Sequence, residues 1–208
     1  MPSAADQTVF HDAVFSTRDQ NHDAVRFEGA DFTGAHAEGH SFLECSLLGG
    51  LLDEAHLEGS RWSECEWQRV AGVGLSLVEA SLVETTLEGC RLAAVSAWGS
   101  TWRDVTVRGG KVDFLNLRGA RLKDVAFVDC VVVELDLQEA TVDGLSFDGC
   151  TLVSPTFGRG RYAALDLSGA TLRSPVGLAA LRGATMSRTQ VIDLAEALAA
   201  ELGISVVD

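Results

Sequence analysis

Apolar residues recur in this chain every five positions, without a slip, for 150 residues. Cut into blocks of five from Val25 to Ser174, the chain puts an apolar residue third in 29 of 30 blocks. The series opens Phe27, Phe32, Ala37, Phe42 and closes Phe157, Tyr162, Leu167, Leu172, with Gly72 as the exception. With that residue written i, position i−2 is small or aliphatic (Ala30, Cys45, Ala55, Ala80, Cys130, Ala170), and i+2 is mostly Gly or acidic. A period of five fits neither the 3.6 residues of a helical turn nor the alternation of a strand. Two inward positions per block need a chain that extends briefly and then turns, again and again. That describes a stacked solenoid rather than a globular domain with a pocket. Gly at i+2 (Gly29, Gly49, Gly89, Gly109) suits the corner, since it accepts positive φ without steric cost.

Blocks such as Ala30-Asp31-Phe32-Thr33-Gly34 and Leu165-Asp166-Leu167-Ser168-Gly169 resemble the unit of the pentapeptide-repeat family, Ala-Asp/Asn-Leu-x-x. The resemblance covers nearly three quarters of the chain. It implies an all-β solenoid: a right-handed quadrilateral parallel β-helix with four blocks, or 20 residues, per coil. Folded at that period, one inward column reads Phe27, Leu47, Trp67, Leu87, Val107, Phe127, Phe147, Leu167. Another reads Phe42, Trp62, Leu82, Trp102, Leu122, Val142, Tyr162. At about 4.8 Å per coil, roughly 7.5 coils make a rod roughly 36 Å long. The departure from the family unit is at i−1, where Asp or Asn stands only at Asp31, Asn116, Asp136 and Asp166. That position faces solvent, so the core is unaffected.

The pattern divides the chain into an N-terminal cap (1–24), the repeat shaft (25–174) and a C-terminal cap (175–208). Phe10 and Phe15 keep the five-residue interval, but the next core residue is Phe27, so two extra residues fall within Ser16–Ala24 and predict a short loop. Pro175 is expected to end the coils. Ser187-Arg188-Thr189-Gln190 is a capping-box pattern opening a helix over about 188–202. Val191, Leu194, Ala195, Leu198 and Leu202 form its apolar stripe, and Gly203 can end it. The stripe can simply cover the open end of the β-helix, where a bare edge invites aggregation. It can also pair with its twin across a two-fold axis.

Composition adds bounds. A chain of 208 residues, 47% hydrophobic, is one domain with ample core. No stretch approaches 18 uninterrupted apolar residues, so no membrane span is expected, and Met1–Asp6 lacks the layout of a signal peptide, which points to a cytoplasmic protein. All five cysteines fall at i−2. Stacked neighbours such as Cys45/Cys65 and Cys130/Cys150 would hold their Cβ atoms near ~4.8 Å, too far for an unstrained bridge, so they read as small buried hydrophobes. No phosphate loop, nucleophile elbow or paired C-x-x-C is present, and neither a cofactor nor catalysis is expected. His40, at i−2, should be a buried core residue. His36 and His56 should stack as i−1 neighbours, able to hold a metal only with further ligands nearby; two exposed histidines on one face are more commonly solvated surface.

Charge changes the picture most. The formal net charge is −14, and one i+2 column reads Glu44, Glu64, Glu84, Asp104, Asp124 on five consecutive coils. That is about one charge per 4.8 Å of rod, against one per about 3.4 Å for each strand of DNA. Stacking like charges at that spacing costs under about 1 kcal/mol per pair in water. Acidic surfaces also keep proteins soluble, and Glu at a solvent-facing corner needs no purpose. Arg61, Arg103, Arg121 and Lys123 should dilute the row. Direct nucleic-acid binding is not expected of so acidic a rod.

Several pentapeptide-repeat proteins, including the mycobacterial fluoroquinolone-resistance type and the Qnr group, bind DNA gyrase or topoisomerase IV as mimics of duplex DNA. The resemblance implies the same kind of partner here, with the acidic column as the docking face. This chain is most similar to the mycobacterial type in its uninterrupted rod, C-terminal helix and acidic surface. That type dimerises through the helix, whereas the long loops of the Qnr group are missing here. The competing reading is a protein-interaction scaffold using apolar surface, where Val131, Val133 and Val153 would cluster and Trp98 occupies an outward i+1 site.

Overall fold

A computed structural model describes residues 8–10 and 20–207. Within them every strand pair is parallel, and through the shaft each residue sits on its counterpart twenty positions away: Phe42 on Trp62, Trp67 on Leu87, Phe127 on Phe147. The chain therefore winds as a four-sided parallel β-helix with one five-residue block per side. We number the sides from Val25 (side one), Ala30 (two), Ala35 (three) and His40 (four). One sheet of 13 strands carries sides one and four, and a sheet of seven carries sides two and three. Toward the N-terminus the strands are short pieces interrupted at corners, such as Ser41–Leu43 and Ser46–Leu48. Farther along they run through the corner between sides four and one, as in Thr101–Arg108 and Arg121–Val128.

Both inward positions are filled as the period predicts. Trp62 and Trp67 are fully buried, as are Phe127 and Phe147. Like side chains stack on like: the Phe42 ring lies 3.7 Å from that of Trp62 and 7° from parallel, and Phe127 lies 5.0 Å from Phe147. Gly72 breaks the apolar series for a local reason. A Cβ there would meet the Leu52 carbonyl oxygen at 3.0 Å and the Leu52 Cβ at 3.2 Å, so a side chain would require the neighbouring coil to give by a few tenths of an ångström. The cysteines are buried, and thiols such as Cys65 and Cys130 donate to backbone carbonyls two and 23 residues back.

The four Asp/Asn residues at i−1 share one local task. Asp31, Asn116, Asp136 and Asp166 each accept a hydrogen bond from the amide two residues on, the Asx-turn that holds a corner without a ladder bond. At Asp31 and Asp166 the hydroxyls of Thr33 and Ser168 donate as well and hold the carboxyls below their usual range.

The ends differ from the expectation. Phe15 and residues 16–19 lie outside the described residues, but Asn21–Asp23, expected within a loop, is a strand paired to Ser41–Leu43 at the regular offset of twenty. His22 thereby enters the inward column and stacks on Phe42 at 4.6 Å. Thr8–Phe10 pairs with the strand Val25–Glu28, with Phe10 opposite Phe27 in the backbone register; the offset of seventeen residues equals three five-residue blocks plus the two extra residues that the spacing predicts. Pro175 does not end the coils. Val176 bridges to Thr156 and Thr185 to Asp166, so about half a further turn of chain follows. Proline is tolerated because Pro155 already occupies the same column within a strand.

The expected single helix is two short ones, α1 (Arg188–Asp193) and α2 (Ala195–Glu201), broken at Leu194 with φ −100° and ψ 7°. The break turns Leu194 (buried) and Leu198 (half-buried) onto the shaft's end beside the core. The capping box forms as predicted: the Ser187 hydroxyl accepts from the Gln190 amide, and the Gln190 side chain accepts from the Ser187 amide. Gly203, at φ 73°, terminates α2 with Gly203 N–H to Ala200 and Ile204 N–H to Ala199, the paired bonds of a Schellman motif.

Gln190 has a second task that the sequence did not suggest. Its side chain is buried, and Nε2 donates to the carbonyls of both Leu167 and Ala170 in the last coil. One residue thus closes the helix start and the edge of the solenoid together. Gln190→Leu should lower unfolding free energy by on the order of 2–3 kcal/mol, against about 1 kcal/mol for Ser187→Ala, which removes only the cap. Urea denaturation of the two variants checks this; equal losses would mean that the carbonyl contacts are energetically idle.

Candidate partner-binding surface

The acidic column lies at the corner between sides four and one, and the coil stacking places its five members in one row. The amides of Glu44, Glu64 and Glu84 donate to Ser63, Val83 and Arg103, each one coil on, so the row is fixed by backbone bonds. Glu44 is half-buried; Glu64, Glu84, Asp104 and Asp124 are exposed. Gly144 and Ala164 continue the column without charge.

The corner demands a left-handed backbone, and all five acids adopt it, with φ of 53°, 54°, 50°, 55° and 52° in order. Such a conformation costs a residue bearing a Cβ about 1 kcal/mol or more. The corners after sides one and three mostly meet this demand with glycine: Gly29, Gly49, Gly89, Gly109 and Gly149, and Gly39, Gly59, Gly99 and Gly119. The corner after side four uses none until Gly144. Glu54, Glu79, Asp129 and Glu139 are further acids at positive φ, scattered over the other corners. The sequence carried a signal for this strain, since glycine at i+2 elsewhere marks the position as left-handed.

Basic residues stand beside the row as expected. Arg103 Nε lies 3.7 Å from Asp104 Oδ2, an exposed contact of small worth. Arg61, Arg121 and Lys123 are exposed on the same side.

Apolar surface is concentrated elsewhere. Val131 is exposed and Val133 and Val153 half-buried on side two, where the structure adds exposed Leu51, Val73 and Phe114. Trp98 projects from side three, 46% exposed. In the C-terminal segment the expected stripe is divided. Leu194 and Leu198 face the shaft, whereas Val191, Ala195 and Leu202 face outward with Ile192 and Ile204. His40 is buried and lies 3.2 Å from His22; His36 and His56 stack on side three; His11 lies outside the described residues. Among the described residues no helix is long and apolar enough to cross a membrane.

Five residues per side and twenty per coil define the fold as the pentapeptide-repeat β-helix. No family model matches the sequence, and no curated protein matches it. Among solved structures, the chain is similar to a trypsin-treated variant of QnrB1, a plasmid-mediated fluoroquinolone resistance protein, at 14% identity over 97% of each chain with a TM-score of 0.36. Full-length QnrB1 matches at 15% identity over 92% of this chain and 96% of that one, with a TM-score of 0.28. HetL, a pentapeptide repeat protein involved in heterocyst differentiation regulation from the cyanobacterium Nostoc, matches at 16% identity over 79% of this chain and 73% of its own, with a TM-score of 0.32. At these values the likeness adds nothing to what the coil geometry establishes.

If the carboxylates of the row have no structural task, Glu84→Gly should leave stability within about 1 kcal/mol of the parent, because relief of left-handed strain offsets the entropy lost by glycine. Glu84→Val should be destabilising by more than about 1 kcal/mol, since a β-branched residue fits that φ poorly. Thermal denaturation of the pair decides; a marked loss in the glycine variant would assign the carboxylate to the fold.

Proposed function

We propose that this protein is a non-enzymatic acidic rod that mimics duplex DNA and binds a type II topoisomerase, DNA gyrase or topoisomerase IV, modulating it or shielding it from quinolone-like inhibitors. The observation that carries the reading is the corner after side four, where five successive coils keep a carboxylate at left-handed φ although glycine serves the neighbouring corners. A row held there against strain and mutual repulsion is accounted for by what it presents to a partner. Its rise of about 4.8 Å per charge is sparser than the roughly 3.4 Å of a DNA strand but of the same order, and the row sits on a rod of net charge −14. The five-residue pattern resembles that of proteins acting on gyrase in this way.

Purified gyrase supercoiling, titrated with this protein, tests the reading. Inhibition should be dose-dependent and should weaken at least about tenfold between low and moderate salt, because a charged docking face is screened. A variant carrying Glu64→Lys, Glu84→Lys and Asp104→Lys should keep its circular dichroism and lose inhibition. Inhibition that ignores both salt and charge reversal would sink the reading in favour of an apolar docking face on side two, for which exposed Leu51, Val73, Phe114 and Val131 are the specific support. Binding there would be salt-tolerant and lost on Val133→Asp, and also on Trp98→Ala where the face extends onto the adjoining side three.

The same proposal includes a homodimer through the C-terminal segment, revised to its outward residues. Val191, Ile192, Leu202 and Ile204 are 46%, 65%, 74% and 56% exposed, an apolar surface of the kind an isologous contact covers. Light scattering should give twice the chain mass for the parent and one chain for Ile192→Glu/Leu202→Glu; a monomeric parent removes the dimer and leaves the helices as a cap.

A further inference from the structure

Side three carries a cluster that the acidic corner does not use. Its first two blocks, Ala35–Gly39 and Ala55–Gly59, read Ala-His-Ala-Glu-Gly and Ala-His-Leu-Glu-Gly, twenty residues apart. Coil stacking therefore sets His on His. His36 and His56 are bridged through their backbones, and their rings lie 4.6 Å apart and 4° from parallel. Each histidine meets the glutamate two residues on: His36 Nδ1 is 2.7 Å from Glu38 Oε1, and His56 Nδ1 is 3.3 Å from Glu58 Oε1. Donor atoms of His36, Glu38 and His56 all lie within 4.8 Å of one another. Glu58 Oε2 is shielded without a hydrogen-bond partner while the side chain as a whole is 34% exposed, so Oε1 remains aimed at His56.

We propose that His36, His56 and Glu38 form a binding site for a divalent transition-metal ion, zinc being the best fit, with Glu58 orienting His56. Two imidazoles and a carboxylate are a donor set of zinc sites that keep one position open. Calcium and magnesium, which take mainly oxygen ligands, are poorly served by it. Zinc bonds of about 2.0–2.2 Å bring tetrahedral donors to about 3.4 Å of one another. The ladder already holds both histidine backbones in register, so the remaining closure falls to the side chains. Hydrogen bonding of a ligating imidazole to a carboxylate is the usual outer-shell support of such sites, and Glu58 can supply it to His56. The site spans two coils and no more, since the next residues in these columns are Ser76 and Val78. His36 and Glu38 are exposed and His56 is half-buried, so the open position faces solvent and can take water or a side chain of a partner. The inference is independent of the topoisomerase reading.

Isothermal titration of the full chain with zinc chloride tests it. One ion per chain is expected. His36→Ala and His56→Ala should each weaken binding by more than about tenfold, and Glu58→Gln by about tenfold, the usual effect of losing an orienting group. Zinc should raise the melting temperature of the parent but not of the His36→Ala/His56→Ala double variant, whose fold is verified by circular dichroism. Absence of saturable binding at about millimolar zinc would overturn the proposal. So would binding undiminished in the double variant, which would place the ion elsewhere, or calcium binding as tight as zinc, which would mark an oxygen-only site.

Discussion

Every feature of this molecule depends on one constraint, the parallel in-register pairing of each residue with its counterpart twenty positions away. The hydrogen bonds that satisfy the backbone also force equal residues of successive coils into columns. Inside, the columns bring Phe42 onto Trp62 and Phe127 onto Phe147, and the coils must accept whatever volume results. At Gly72, where two coils approach closely, the side chain is absent and the register is kept. Outside, the same rule turns any outward residue type that recurs at twenty into a ladder. His36 over His56 and the carboxylates from Glu44 to Asp124 are products of one operation.

The constraint explains what could be read from the sequence. Core and corner positions are separated by fixed offsets, so the shaft, its four sides and the membership of each column follow from counting alone. The ends could not be read that way, because they are where counting fails. A strand at Asn21–Asp23 in place of a loop, a chain that continues past Pro175, and a helix broken at Leu194 all depend on how the terminal coils are covered. Gln190 shows the limit most clearly. Its place in the capping box is local and visible, whereas its donation to Leu167 and Ala170 depends on where a coil twenty residues earlier leaves its carbonyls. The apolar stripe was visible too, but its division into Leu194 and Leu198 inward and Val191 and Leu202 outward was not, because the turn at Leu194 rotates one half against the other.

The acidic corner was legible directly as a column and only indirectly, through the glycines of the neighbouring corners, as a strained one, and the strain alters its meaning. Repulsion between stacked carboxylates costs under about 1 kcal/mol per pair in water, and left-handed backbone adds about 1 kcal/mol per residue. Both terms oppose folding, and the contact of Arg103 with Asp104, exposed on both partners, offsets little. A continuous buried core can absorb such a loss, since truncating one large core side chain alone is worth about 3–5 kcal/mol. Solubility does not require the row either: acids dispersed over four sides would serve it without stacking, as Glu54, Glu79, Asp129 and Glu139 do. What dispersed acids cannot provide is a straight line of charge at a fixed spacing. A partner of the proposed kind would recognise the ladder of the backbone through the side chains it carries, much as a DNA-binding surface is positioned by phosphates.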